Sequence, residues 1–491
     1  MKKNLVKNVY ISILQITLST IVIFILYKYS IGILGADKFG LWSVITSVVS
    51  LANVVNLGFS ASVTSYVAKF QANNEEDYSI SFLETAFISA ALIVGVFLIL
   101  FYPVTRWIVF HKINKIHSLD AIEILPYAFI SFWIMILLSI LFSGLDGIQK
   151  LGIRSLIQMV GIIVNLILCI LLVPRFGIIG LAYSQLIQSV LMLLLSFIFV
   201  RKYLPKLPFL PYRFNKELFI LLLRYSTKFQ LIPISQMFCE PITKILLTRF
   251  SGLSAVSYFD LANRMLIQLR LLFVSVGQVL LPLFAEQTQK SKLGLINLYK
   301  ESLGVISFLS ITFFLMIIGF LPLISKVWIG YSENMFVLTG VFLSIGFFIN
   351  SLGIPAYYLG IGSGNLKWII YGHLLTSVFN VIFSYIFGII FGYLGVIMGW
   401  VFSWIIGTLL FTILQERDFN VLKILFSTNN LYLISSISLF SFISIFFNFS
   451  QILDVQSILL IGCSFAILVC IPVWFHPMRL NVVSLILNKF N

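Results

Sequence analysis

Long apolar segments recur along this chain from near its start to near its end. A window of about twenty residues picks out about fourteen of them, each able to cross a hydrocarbon layer of roughly 30 Å as a helix. Their apolar residues run continuously and do not alternate with polar ones, which excludes a membrane-spanning β-barrel. Because lipid offers no partners for backbone polar groups, the spanning segments must then be helices. The sequence predicts an all-α, polytopic membrane protein.

The composition supports this class of protein. Of the 491 residues, 60% are hydrophobic and 10% are charged, whereas soluble domains carry about a quarter charged residues. The predicted transmembrane helices lie near 9–34, 40–64, 82–104, 122–143, 153–173, 178–200, 229–250, 255–283, 302–325, 335–359, 367–390, 393–414, 430–447 and 457–475.

The positive net charge of +15 has an explanation in membrane topology. With fourteen crossings, Lys and Arg are about three times as frequent on the side of the two termini, which predicts that both termini are cytoplasmic. The first apolar segment is long and lacks a small-residue cleavage site, so we expect it to remain in the mature chain. We expect a multi-pass protein of a bacterial inner (plasma) membrane. The basic residues form no patch typical of nucleic-acid binding, so no nucleic-acid partner is predicted.

The four cysteines and four histidines are scattered along the sequence. They show no metal-ligand spacing and no arrangement typical of nucleophilic catalysis. We therefore expect no metal, no cofactor, no catalytic residues and no enzymatic activity.

The two halves of the chain are related by a weak internal repeat. The segments PRFGIIG (174–180) and IIFGYLG (389–395) align at an offset of 215 residues, and GADKFGLW (35–42) aligns with GLSAVSYF (252–259) at an offset of 217. Transporters are often built from such repeats. The first twelve helices are predicted to form two six-helix bundles in parallel, followed by two C-terminal helices without a counterpart.

The domain boundaries follow from the repeat and from a basic, proline-containing segment. We predict an N-terminal six-helix bundle over 1–200, a cytoplasmic basic linker over 201–228, a C-terminal six-helix bundle over 229–414, and two additional helices with a cytoplasmic tail over 415–491. The linker's prolines prevent a continuous helix, and its second part is amphipathic enough to lie along the inner membrane surface.

The family resemblance rests on three segments spread over the chain. They are GILGADKFGLWSVITSVVSLANVVNLGFSASV (32–63), VPRFGIIGLAYSQLI (173–187) and SGLSAVSYFDLANRMLIQLRLLFVSVGQVLLPLFAEQ (251–287). Together with the layout of six, six and two helices, they resemble the polysaccharide flippases of the multidrug/oligosaccharidyl-lipid/polysaccharide exporter superfamily. The resemblance implies translocation of a lipid-linked oligosaccharide to the outer leaflet.

Several ionised side chains interrupt the apolar helices, where each charge costs on the order of 3 kcal/mol at the bilayer centre. Glu240 and Lys244 are spaced i,i+4 on one helix, and Asp260 and Arg264 repeat this spacing on the next. Acid and base at this spacing meet on one helix face. The two pairs either serve helix packing alone or belong to a binding site.

Two cations have no acid three or four residues away on their own helix, namely Arg270 and Lys28. If both face a cleft between the bundles, that cleft carries excess positive charge, which suits a pyrophosphate because Arg and Lys form charge-assisted hydrogen bonds with phosphate oxygens. For Lys28, reaching out to the membrane interface is the alternative.

These features lead to a specific functional hypothesis. We predict a flippase that moves an undecaprenyl-pyrophosphate-type lipid-linked oligosaccharide by alternating access through a basic central cavity, for O-antigen, capsule or exopolysaccharide synthesis. The predicted ligands of the polyprenyl pyrophosphate are Lys28, Lys244, Arg264 and Arg270, and the residues predicted to orient them or to take a coupling ion are Glu240 and Asp260.

Expected partners beyond this substrate are membrane lipids, a polysaccharide polymerase and glycosyltransferases. A multidrug/cation antiporter, a flippase for the peptidoglycan lipid precursor and a non-transporting membrane scaffold remain the alternatives.

Overall fold

A computed structural model describes most of the chain, namely residues 2–56, 58–112, 115–209, 211–229, 234, 236–415, 427–449 and 455–480. Within these ranges nearly every residue lies in a helix and no strand occurs. The predicted all-α class is confirmed.

The chain divides into two compact units, which are described separately. Unit 1 comprises Met1–Thr248 and Gly252–Ser257, and unit 2 comprises Arg249–Ser251 and Tyr258–Asn491. The helices that lie in unit 1 are α1 (Lys2–Ser50), α2 (Phe59–Ala72), α3 (Glu76–Lys112), α4 (Lys115–Gly147), α5 (Leu151–Phe176), α6 (Ile178–Tyr203) and α7 (Lys216–Phe229).

Two helices cross the boundary between the units, α8 (Cys239–Ser251) and α9 (Leu253–Lys290). The helices of unit 2 are α10 (Lys292–Ser310), α11 (Met316–Trp328), α12 (Asn334–Leu352), α13 (Ile354–Ser363), α14 (Lys367–Gln415), α15 (Thr428–Phe449), α16 (Val455–Phe465) and α17 (Ile471–Phe475). A π-helical turn joins α10 to α11, and another joins α16 to α17.

Nine helical stretches among the described residues are long and apolar enough to cross a membrane. The first and the eighth of them each contain a glycine with non-helical dihedral angles, Gly35 in α1 and Gly392 in α14, so each comprises two helices that meet at a bend. The protein is therefore a multi-pass membrane protein, while the predicted number of fourteen crossings stays a prediction. The charged helices α8 and α9 are not among the nine, because polar residues lower their hydropathy and α8 has only 13 residues.

One predicted helix boundary is wrong. A single helix was expected over 40–64, but α1 ends at Ser50, a 3₁₀ turn covers Leu51–Asn56, and α2 starts at Phe59. Gly58 before it has φ 69° and ψ 24°. Glycine adopts this left-handed conformation without steric cost, so the chain can change direction inside an apolar segment.

The internal repeat is visible in the backbone conformation. Gly177 has φ 59° and ψ −135°, and Gly392, 215 residues later, has φ 60° and ψ −135°. Gly35 has φ 77° and ψ 164°, and Gly252, 217 residues later, has φ 86° and ψ −177°. Such angles are readily available only to glycine. The two predicted alignments therefore join residues that make the same bend.

A close contact in unit 1 shows the same relationship. A β carbon on Gly40 would overlap the carbonyl oxygen of Leu253, and the hydroxyl of Ser257 donates a hydrogen bond to the carbonyl oxygen of Ala36. At the offset of 217, Ala36 corresponds to Leu253 and Gly40 to Ser257. The starts of two corresponding helical segments thus pack together through small residues.

The second part of the linker is helical and packs against the body of unit 1. Helix α7 lies against α2 and α3 and buries Leu218 and Leu222. The hydroxyl of Ser62 in α2 donates to the carbonyl oxygen of Leu222 at 3.3 Å. The helix is therefore amphipathic, with its apolar side on unit 1.

Candidate functional site

The candidate site in unit 2 is built around Arg270, in the middle of α9. Its Nε donates a hydrogen bond to Oδ1 of Asn350 in α12 at 2.9 Å. The amide nitrogen of Asn350 in turn donates to the hydroxyl of Thr408 in α14 at 3.0 Å. Because Asn350 is held from both ends, its oxygen is fixed toward the guanidinium. Three helices thus position one arginine.

Aromatic and imidazole rings surround this arginine. Tyr357 and Tyr358 of α13 and His373 of α14 lie close enough for electrostatic interaction with Arg270. The hydroxyl of Tyr358 donates to the carbonyl oxygen of Val274 in α9 at 3.4 Å. The rings of Tyr357 and His373 stand edge to face, with centroids 6.3 Å apart. We call these residues, with Asn350 and Thr408, the Arg270 cluster.

The Arg270 cluster contains no acidic residue. Across the part of the chain that the structure describes, no carboxylate lies within ion-pairing distance of Arg270. Within the same part, the side chain donates only the bond from Nε. The two terminal nitrogens, which can bind two oxygens of one phosphate group, are not used by a described residue.

The predicted pair of Asp260 and Arg264 forms on the same helix, between six and ten residues before Arg270. Nε of Arg264 lies 3.6 Å from Oδ2 of Asp260. The aspartate is buried, whereas the arginine side chain is half-exposed. Both residues also take part in at least one further polar, aromatic or electrostatic interaction.

The predicted pair of Glu240 and Lys244 also forms, on α8 in unit 1. Nζ of Lys244 lies 2.7 Å from Oε1 of Glu240 and donates to the hydroxyl of Ser47 in α1 at 2.8 Å. The lysine side chain is only 1% exposed, whereas that of Glu240 is 39% exposed. Lys244 is therefore a buried and hydrogen-bonded cation in this conformation.

Lys28 differs from the expectation of a cation without a partner. Its side chain is exposed on α1, and it takes part in at least one polar, aromatic or electrostatic interaction. A helix position alone does not exclude partners from elsewhere in the fold. Of the four predicted phosphate ligands, Lys28 and Lys244 belong to unit 1, and Arg264 and Arg270 to unit 2.

Three residues that the sequence did not mark as candidates hold the predicted cations in place, namely Asn350, Ser47 and Thr408. Asn350 is an amide in a largely apolar helix, and it contacts Arg270. Ser47 and Thr408 gave no signal, because single hydroxyls are common in transmembrane helices and bond to their own backbone. The partner of Ser47, Lys244, lies 197 residues away in the sequence, and the partner of Thr408, Asn350, lies 58 residues away.

The sequence matches the model of a known protein family. A model described as polysaccharide biosynthesis protein matches residues 5–288, more than half of the chain. The chain belongs to the polysaccharide biosynthesis protein family. No curated protein matches the sequence.

Solved structures with a similar fold are transporters. The lipid II flippase MurJ in an inward closed conformation is 18% identical, with a TM-score of 0.70 over 92% of this chain and 97% of that one. An inward-facing multidrug resistance MATE family transporter of the MOP superfamily is 15% identical, with a TM-score of 0.64 over 85% of this chain and 100% of that one. A MOP superfamily transporter from Pyrococcus furiosus is 14% identical, with a TM-score of 0.59 over 86% and 96%. This member of the polysaccharide biosynthesis protein family thus has the fold of MOP superfamily transporters.

Proposed function

We propose that the protein is a flippase that carries an undecaprenyl-pyrophosphate-type lipid-linked oligosaccharide from the inner to the outer leaflet. The exported glycan would serve the synthesis of O-antigen, capsule or exopolysaccharide, and transport would proceed by alternating access. Both termini would be cytoplasmic in a bacterial inner membrane. Membership in the polysaccharide biosynthesis protein family supports this reading over an unrelated transport activity.

The observation that carries the proposal is that Arg270 has a neutral hydrogen-bond partner and, among the described residues, no carboxylate partner. A cation in an apolar helix is costly unless a partner or water offsets its charge. Arg270 is held by the neutral amide of Asn350 and, among the described residues, by no carboxylate. Such a cation is complementary to an anion that arrives with the substrate. The pyrophosphate is the part of a lipid-linked sugar that most strongly opposes crossing hydrocarbon, and Arg270 would offset its charge.

The other predicted residues have different roles in this proposal, according to their exposure and their partners. Arg264 is half-exposed and lies six residues before Arg270 on α9, so it would reach the same phosphates from less than two helical turns away. Lys28 is exposed and would bind as a flexible point charge. Asp260, which is buried beside Arg264, would orient that base.

Lys244 would join the phosphate ligands only after a change at Glu240. In the conformation described, the ammonium group is buried against Glu240 and Ser47. Glu240 is the more exposed partner, so it is the one that a coupling proton or sodium ion would reach. Neutralising Glu240 would release Lys244 for the substrate, which couples the ion to substrate binding.

A flippase for the peptidoglycan lipid precursor is the second candidate, favoured by the TM-score of 0.70 with a lipid II flippase. Its cargo is also an anionic lipid-linked sugar, so the basic residues do not separate the two. Deletion of the protein separates them. Loss of surface polysaccharide from cells with a normal wall supports the proposal, whereas failure of wall synthesis supports the second candidate.

The decisive experiment replaces Arg270. We expect Arg270→Ala to abolish surface glycan while the protein still inserts and accumulates, and the lipid-linked glycan to collect in the inner leaflet. Arg270→Lys should retain part of the export, because it keeps the charge and loses the two-pronged contact. Arg249→Gln is the matched control: Arg249 is exposed and stacks on Tyr385 with its guanidinium 5.6 Å from the ring centroid. Normal export in Arg270→Ala would remove the central claim.

A further inference from the structure

The first part of the linker, residues 201–209 and 211–215, forms an ordered segment on unit 1 that we call the strap. The backbone N–H of Tyr212 donates to Oε1 of Glu84 at 3.2 Å, and the N–H of Asn215 donates to the hydroxyl of Thr85 at 3.2 Å. Glu84 and Thr85 lie in α3 and are almost fully buried. Because buried side chains hold its backbone, the strap has a defined inner and outer side.

The inner side of the strap is apolar and its start is fixed. Leu204 and Leu207 are buried against unit 1. The ammonium group of Lys206 lies 2.9 Å from Oδ1 of Asp77 at the beginning of α3. The strap is therefore held along its length by apolar burial, one ion pair and two side-chain hydrogen bonds.

The outer side of the strap exposes three aromatic rings within six residues. Phe209 is 72% exposed, Tyr212 is 66% exposed and Phe214 is 53% exposed. Burial of an aromatic ring is favourable, and these rings stay exposed although the backbone beside them is fixed. Exposed aromatic rings of this density mark a surface that another apolar phase covers.

Two arginines stand over these rings. The guanidinium of Arg201 lies 3.4 Å from the ring centroid of Phe209. That of Arg213 lies 5.3 Å from the ring centroid of Tyr212, and its Nε donates to the tyrosine hydroxyl at 3.1 Å. Stacking engages the face of a guanidinium and leaves N–H groups at its edge for anion oxygens.

The two arginines differ from Lys206 in their electrostatic partners. Throughout the described ranges, no carboxylate lies within ion-pairing distance of Arg201 or Arg213. Lys206 is already neutralised by Asp77. The outer side of the strap thus combines exposed rings with two arginines that form no ion pair among the described residues. The carboxylates of Glu84 and Asp77 act on Arg213 from a longer distance.

The position of the strap along the chain indicates what covers it. Its first three residues form the end of α6, which is one of the helices able to cross a membrane. The end of a spanning helix lies at the level of the lipid headgroups, where aromatic rings and basic side chains are both favoured.

We propose that the strap is a binding surface for anionic phospholipid at the end of unit 1. Arg201 and Arg213 bind the headgroup phosphate through their free edges, and Phe209, Tyr212 and Phe214 enter the boundary between headgroups and acyl chains. This surface would fix the linker to the bilayer whatever cargo the protein carries.

A photocrosslinking experiment tests this surface directly. The full chain is reconstituted in phosphatidylcholine vesicles that contain either photoreactive phosphatidylglycerol or photoreactive phosphatidylcholine, and crosslinks on the peptide that contains residues 201–215 are quantified by mass spectrometry. Each arginine should favour the anionic lipid about fivefold. We expect phosphatidylglycerol to label this peptide at least about fivefold more than phosphatidylcholine.

Charge variants separate specific binding from general attraction. Arg201→Gln with Arg213→Gln should reduce labelling by phosphatidylglycerol at least about fivefold and leave labelling by phosphatidylcholine unchanged. Lys206→Gln is the matched control, since it removes one charge from the same segment but one that Asp77 already balances, and it should change labelling less than about twofold. Equal labelling by both lipids, or an equal loss in Lys206→Gln, would overturn the proposal.

Two further arms test the rings and the source of the phosphate. Phe209→Ser with Phe214→Ser should reduce labelling by both lipids, because the segment then lies less deep in the interface. Unchanged labelling in that variant contradicts the role of the rings. Inorganic phosphate should not compete with phosphatidylglycerol, and competition would show a site for a free anion in place of a lipid surface. Circular dichroism and thermal unfolding of each variant confirm that it folds.

Discussion

Nε of Arg270 donates a hydrogen bond to Oδ1 of Asn350 over 2.9 Å, although the two residues lie 80 positions apart in the chain. The bond orients the guanidinium without neutralising it, because an amide carries no net charge. A carboxylate at the same place would form an ion pair and compete with an anionic substrate. The choice of an amide therefore keeps the positive charge of the Arg270 cluster available.

Asn350→Asp tests this relationship. The introduced carboxylate should pair with Arg270, so we expect glycan export to fall at least about tenfold, which corresponds to roughly 1.4 kcal/mol. Export is measured as surface polysaccharide per amount of protein in the membrane. Thr408→Val is the control: it removes the second bond of Asn350 at a cost of about 1 kcal/mol in stability and adds no charge. Export at the normal level in Asn350→Asp would show that the charge of Arg270 is not used.

The pair of Lys244 and Glu240 predicts an asymmetric effect on stability. Lys244 is buried and Glu240 is partly exposed, so removing the glutamate leaves a buried cation without its carboxylate, whereas removing the lysine leaves an anion that water can reach. We expect Glu240→Gln to lower the free energy of unfolding by about 2 kcal/mol and Lys244→Met by less than about 1 kcal/mol. Thermal unfolding in detergent checks the order, and equal losses would contradict it.

Two glycines of α1 should respond differently to the same substitution. A β carbon on Gly40 would overlap the carbonyl oxygen of Leu253, whereas nothing lies within 4 Å of one on Gly32. Gly40→Ala should destabilise the protein by about 1–3 kcal/mol through overpacking. Gly32→Ala should be neutral or stabilising by up to about 1 kcal/mol, since alanine is the better helix former. The midpoint of thermal unfolding should therefore fall for Gly40→Ala. For Gly32→Ala it should stay unchanged or rise.

The repeat also pairs Gln149 with Gly364 at the offset of 215. Both have positive φ, 59° for the glutamine and 76° for the glycine. A left-handed conformation costs a residue with a side chain about 1–2 kcal/mol, so Gln149→Gly should raise the midpoint of thermal unfolding and Gly364→Ala should lower it. A lower midpoint for Gln149→Gly would show that the glutamine side chain contributes more than its backbone conformation costs.

His476 predicts a pH dependence of stability. It follows α17, its ring stacks on Phe308 with centroids 4.7 Å apart, and its Nε2 lies 3.2 Å from Oδ1 of Asn430. Burial lowers the pKa of His476 below its ordinary value of 6.5. The unfolded chain then takes up a proton before the folded one does, so stability is retained above about pH 6.5 and is lost as the pH falls below it.

Thermal unfolding between pH 7.5 and pH 5 checks this expectation. The midpoint of the wild-type protein should fall with acidification, and that of His476→Gln should fall less, because glutamine keeps a polar group beside Asn430 and does not titrate. Parallel curves for both proteins would assign the acid sensitivity to other groups.

The sequence by itself determined the class of the fold and the features that depend on neighbouring residues. Apolar length predicted the helices because each spanning helix satisfies its own backbone. The spacing of four residues predicted the pairs of Glu240 with Lys244 and of Asp260 with Arg264, since one helical turn brings such side chains together. Glycines in corresponding segments predicted the repeat because only glycine adopts the bends that they make.

Only the tertiary structure decided which distant groups meet. Lys244 bonds to Ser47, Arg270 to Asn350, and Tyr212 to Glu84, over separations of 197, 80 and 128 residues. Hydropathy records that a segment is apolar but not which of its faces meets a given neighbour, and a single hydroxyl or amide leaves no periodic pattern. Whether a cation is paired, buried or available is set by such contacts. The sequence could therefore identify Arg270 only as a candidate. How its guanidinium is held was decided by the packing of three helices around it.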